Sequence, residues 1–119
     1  MSHFISLQEA AAMTARYRSH REGVLLPQHQ NQNLLALNET FDLEAVDALL
    51  AQPGCKGLRI YYGMDESLKM HAILVATDAN NADIIHVSKS DDGEQEGIIL
   101  ENANRCPPLC PPASELNEP

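Results

Sequence analysis

Three cysteines, Cys55, Cys106 and Cys110, and a group of polar side chains around Arg59, Tyr61 and His71 are the residues of this chain whose types and spacing suggest chemistry. Cys106 and Cys110 stand at i, i+4 inside Arg105-Cys106-Pro107-Pro108-Leu109-Cys110-Pro111-Pro112, a spacing used by zinc-binding thiolates. Proline opposes that use. A residue before proline is pushed toward extended backbone, and four steps of polyproline II would set the two Cα atoms about 12 Å apart. A disulfide needs less than about 7 Å, and a shared zinc needs the sulfurs within about 4 Å. The pair meets only if Pro108 and Leu109 make a tight bend. Three readings stay open: a metal site built from Cys55, Cys106, Cys110 and a histidine, a disulfide within the tail, or small apolar contacts along a rigid tail. Zinc is the metal such a site would take; otherwise no cofactor is expected. Cys55, next to Lys56, is read either as a thiol of lowered pKa or as an inert buried side chain.

Arg59 and Tyr61 fall on one face of an alternating segment, and His71 lies in the next one. If that face opens to solvent, the three side chains line a pocket for an anion or for acid–base work, with Asp65 and Glu66 of the intervening loop as neighbours. The competing reading makes Arg59 an ion-pair partner and His71 a satisfied structural residue. No GxGxxG, P-loop, HExxH or GxSxG stands in the sequence, and no catalytic residue is assigned. Arg16, Arg18 and Arg21 with His20 form a basic patch, read as a docking point for an acidic partner or as a solvated helix end.

The elements that would position these groups follow from periodicity. Ser6 and Glu9 form a capping box ahead of a helix whose Leu7, Ala10, Ala11, Thr14 and Tyr17 share one side, with Gly23 able to end it. A polar tract, Gln28–Asn33, reads as an exposed loop. A second helix follows Asp42, with Leu43, Val46, Leu49 and Leu50 at helical spacing, and stops at Pro53-Gly54. Gly57–Tyr62 alternates as a strand, with Leu58, Ile60 and Tyr62 opposite Arg59 and Tyr61. Leu68–Thr77 is a strand apolar on both faces. After a turn at residues 78–83, Ile84–Val87 is expected to be the third strand. Ser88–Gly97, with its acidic run from Asp91 to Glu96, reads as a solvated or partly disordered loop, and Ile98–Leu100 as a short fourth strand.

The predicted fold is therefore α+β: two helices on a small antiparallel meander of three to four strands. A single domain spans residues 1–101, and a Pro/Cys-rich tail, 102–119, carries five of the seven prolines and no regular structure.

Composition limits the functions. The chain has 119 residues, 8 Lys plus Arg against 17 Asp plus Glu, and a net charge of −9. That balance excludes a basic nucleic-acid footprint. The acidity belongs to residues 64–119, with 11 acidic and 3 basic residues. No apolar run is long enough to span a bilayer, and the first residues lack a secretory pattern, so a cytoplasmic location is expected.

Ser6-Leu7-Gln8-Glu9-Ala10, Thr14-Ala15-Arg16-Tyr17-Arg18, Gln52-Pro53-Gly54-Cys55, Leu58-Arg59-Ile60-Tyr61-Tyr62-Gly63-Met64-Asp65 and the Arg105–Pro112 segment together resemble a group of small uncharacterised bacterial proteins, mainly from Bacteroidetes-type organisms. The resemblance covers most of the chain and carries no activity, cofactor or binding residue with it. The functional expectation is a cytoplasmic, non-enzymatic interaction module that self-associates, because a strand apolar on both faces needs more cover than two short helices give. The alternative is a small-molecule or metal-binding protein using Arg59, Tyr61, His71 and the cysteines.

Overall fold

The computed structural model describes residues 3–89 and 93–118. It contains two α-helices and antiparallel β-sheets, the α+β class that the sequence predicts. In chain order the elements are α1 (Leu7–His20), a 3-10 turn (Pro27–His29), β1 (Asn38–Thr40), α2 (Leu43–Leu50), β2 (Gly57–Met64), β3 (Met70–Thr77), β4 (His86–Lys89), β5 (Gly93–Glu96), β6 (Ile99–Leu100) and β7 (Asn104–Cys106). The chain divides into two compact units, residues 1–38 with 105–119, and residues 39–104. The sequence reading sets a domain at 1–101 beside a tail at 102–119; by compactness, residues 105–119 group with residues 1–38. Strands β1 and β7 pair as a two-stranded sheet.

The first unit is held by side-chain donors more than by a ladder. Ser6 caps α1 as its spacing predicts, its hydroxyl accepting from the Glu9 amide at 3.0 Å. The helix ends at Arg21 in helical backbone, before Gly23. The carbonyls of the irregular segment 33–36 are gathered by three side chains. The Tyr17 hydroxyl donates to Ala36 at 2.6 Å, Arg21 to Leu35 at 2.6 Å, and Arg105 to Asn33 and Leu34 at 3.2 Å each. Arg18 donates to the carbonyls of Leu116 and Glu118, both at 2.8 Å. Two arginines of the basic patch are therefore engaged within their own unit.

The second unit is built around β2 and β3, which pair antiparallel in full register from Gly57–Thr77 to Met64–Met70. Its core is Leu49 of α2 with Leu74, Ala76 and Ile84, flanked by Phe41, Cys55, Ile98 and Leu100. The third strand of the sheet is β6, which meets β3 at Leu74–Leu100 and Val75–Ile99, giving the order β2-β3-β6. The predicted third strand, Ile84–Val87, is not in this sheet. Asp83, just before it, forms an isolated bridge with Thr77, after which the Ile84 side chain enters the core and the chain turns into the β4–β5 hairpin. The acidic run read as a loop contributes Gly93–Glu96 to that hairpin, and residues 90–92 lie outside the described residues. The tail, expected to be irregular, supplies β7.

Two loops of the second unit share one hydrogen-bond plan. Asp65 and Asp78 each open a five-residue loop. In each, one carboxylate oxygen accepts from the amides two and four residues on (Ser67 and Lys69; Asn80 and Ala82). In each, the amide of the fourth residue returns to the aspartate carbonyl, and that residue, Leu68 or Asn81, has positive φ. Asparagine takes this backbone readily and leucine does not. The sequence signal was clear for 78–82 and muted for 65–69 for that reason.

Candidate functional site

The antiparallel register puts Arg59, Tyr61 and His71 on one face of the sheet, as the alternation predicts. Their hydrogen-bond partners there are different. Arg59 and Tyr61 converge on Asp83, each on its own carboxylate oxygen. Arg59 also donates to the Asn81 side chain at 2.6 Å and to its carbonyl at 3.1 Å. The Tyr61 and Arg59 hydrogen bonds stabilise the carboxylate and hold Asp83 below the usual carboxylate range. The same bonds push Arg59 and Tyr61 upward, with the Asp83 hydrogen bond the largest cause in both. His71 has different partners. Its Nε2 lies 2.7 Å from the second carboxylate oxygen of Asp65, and its Nδ1 lies 3.2 Å from Glu101 without hydrogen-bond alignment. Asp65 is held low by the His71 contact first and by the Lys69 amide next. Each group joins β2 or β3 to a neighbouring loop, and the His71 Nδ1 is left without a hydrogen bond.

Asp83, Asn81 and Glu101 were not singled out in the sequence. Asp83 sits in a turn rich in Asn and Asp, where nothing distinguishes the residue that receives an arginine. Its cue is positional, since the turn returns the chain alongside Thr77, which pairs with Gly57 at the start of β2.

The cysteines divide as well. Cys106 and Cys110 form a disulfide with a Cα–Cα distance of 4.6 Å. The bend that the prolines were expected to resist is made between Arg105 and Leu109, whose amide donates to the Arg105 carbonyl at 2.8 Å, with the Cys106–Pro107 and Pro107–Pro108 bonds both cis. Sulfurs bonded to each other are not thiolates and do not ligate a metal. Cys55 is a free, half-buried thiol of the second unit, its sulfur 3.5 Å from the Gly57 carbonyl. Among the described residues, no group of three or more His, Cys, Asp or Glu is placed to hold a metal ion, and no helix is long and apolar enough to cross a membrane.

The other face of the sheet is the more unusual surface. Leu58, Ile60, Tyr62 and Met64 alternate along β2 opposite Ala76, Leu74, Ala72 and Met70. Helix α2 lies against β3 and β6, and there Leu74 and Ala76 are buried. The cover stops short of β2, leaving Leu58 at 47%, Ile60 at 51%, Tyr62 at 77% and Met64 at 62% exposure. Among the described residues β2, eight residues long, pairs only with β3, so its outer edge has no strand partner. Comparison of the chain with protein-family models, curated proteins and solved structures finds no match.

Proposed function

We propose that the protein is a non-enzymatic interaction module that pairs with a second copy of itself through the β2 edge. One observation carries this reading: an eight-residue edge strand presents four large apolar side chains on one face. Natural proteins blunt such edges with proline, bulges or outward lysines, and Gly57–Met64 has no proline or lysine. Its single charge, Arg59, is neutralised by Asp83.

Electrostatics favours this strand over other surfaces for self-pairing. Two copies carrying −9 each repel, but residues 56–64 contain Lys56 and Arg59 and no carboxylate, so strands meeting here add no acid–acid contact. The four side chains expose on the order of 500 Å², more than half of the roughly 800 Å² per partner in a standard interface, with the backbone edge and its flanks to supply the rest. Antiparallel pairing of two β2 strands about a two-fold axis makes the same patch serve both copies and satisfies the edge amides and carbonyls.

Sedimentation equilibrium at micromolar concentration tests the proposal. The expected result is a dimer for the unaltered chain and a monomer for Ile60→Lys, which places a charge on an exposed strand position with little cost to the fold. A monomeric unaltered chain, or a dimer that Ile60→Lys leaves intact, would overturn it.

A further inference from the structure

We infer that the Cys106–Cys110 disulfide is a thiol-exchange site, at which a small monothiol of the glutathione class attacks the sulfur of Cys110. The two halves of the bond are unlike. Cys106 is 3% exposed, and its carbonyl is fixed by the Leu37 amide at 2.8 Å. Cys110 is exposed, and so are Leu109 before it and Pro111 and Pro112 after it. Exchange requires a thiolate to reach one sulfur along the bond axis, and of the two residues Cys110 is the exposed one.

The reaction balances in two steps. The incoming thiolate forms a sulfur–sulfur bond to Cys110, the Cys106–Cys110 bond breaks, and the electron pair leaves on Cys106, which takes a proton from water. A second thiolate then attacks the sulfur of the bound small thiol. The small molecule departs as its own disulfide, and Cys110 leaves as a thiolate. Two small thiols are oxidised and the protein disulfide is reduced to two thiols. In the mixed intermediate Cys106 stays four residues from Cys110, so it can also reverse the first step. Buried Cys106 is the resolving thiol and exposed Cys110 carries the adduct.

The test uses the full chain purified without reductant. It is exposed briefly to reduced glutathione, quenched with acid, alkylated and sequenced by fragmentation mass spectrometry. The expected adduct carries glutathione on Cys110 and the alkyl group on Cys106, at least tenfold over the reverse arrangement. Single-cysteine-pair variants supply a second readout if reclosure outruns trapping. With oxidised glutathione, Cys110 in Cys106→Ser should react at least tenfold faster than Cys106 in Cys110→Ser. Glutathione mainly on Cys106, equal rates in the two variants, or alkylation of both cysteines before any reductant is added would overturn the inference.

Discussion

Replacing Gln52 by leucine should destabilise the second unit far more than a surface substitution, although the new side chain is similar in size and less polar. Gln52 is buried just beyond the C-terminus of α2. A helix leaves its last carbonyls without intrahelical donors, and the Gln52 side-chain amide donates to one of them, Leu49, at 2.9 Å. Its oxygen accepts from the Ile98 amide at 2.8 Å, next to the start of β6. One side chain therefore joins the end of the helix to the third strand of the sheet. In Gln52→Leu both backbone groups lose their partner. Each buried group left unsatisfied costs about 1–3 kcal/mol, and the added apolar burial returns about 1–2 kcal/mol. The balance runs from about 0 to 5 kcal/mol and centres near 2.5 kcal/mol, read as a lower urea midpoint at unchanged m-value, with faster hydrogen exchange at the Ile98 amide. A loss under about 1 kcal/mol with unchanged exchange at Ile98 would refute the assignment of Gln52 as the clamp.

Leu49→Ala should cost about 3–5 kcal/mol in urea unfolding, because Leu49 is fully enclosed at the centre of the core and its removal leaves a cavity. Asp83→Asn removes the acceptor shared by Arg59 and Tyr61. Since the folded carboxyl of Asp83 is held low, its contribution is present above the ordinary carboxylate pKa of about 4 and is lost as pH falls through the folded value. Urea midpoints should therefore fall less steeply with acid in the variant than in the unaltered chain, and parallel curves would contradict the pairing. Reduction of the disulfide should lower the stability of the first unit by about 2 kcal/mol, the loop-entropy value for so short a ring, and a midpoint insensitive to reductant would contradict a closed bond.

The parts of this fold legible in the sequence are those decided by near neighbours. Ser6 and Glu9 are three residues apart, and their capping contact needs nothing else. The alternation through Leu58–Tyr62 fixes which side chains share a face of β2, whatever covers that face. The third strand was not legible in this way. Ile84–Val87 and Ile98–Leu100 are both short, mostly apolar and rich in β-branched residues, and the choice between them rests on long-range geometry. The Asp78 loop brings the Ile84 amide to the Ala76 carbonyl at 2.8 Å, which turns the Ile84 side chain into the core. The strand position is left for β6, approached through Gly97, where an added Cβ would lie 2.6 Å from the Ile84 carbonyl.

Of the candidate site, pairing of Arg59 with a carboxylate was one of two sequence readings, and only the fold could name Asp83. Proline preferences argued against closure of Cys106 on Cys110, because rules for single residues do not anticipate a bend held from Arg105 to Leu109. Uncovered apolar sheet surface was expected, but its place on β2 was not legible, for a related reason. Periodicity identifies an apolar face but does not say how far one eight-residue helix reaches across it.

Hydrogen exchange of the β2 amides that face away from β3, followed across a range of protein concentration, tests edge pairing most directly. Pairing of two copies predicts that these amides become protected as concentration rises through the micromolar range, while amides within the β2–β3 ladder change little. Outer-edge amides that exchange rapidly at every concentration would contradict it.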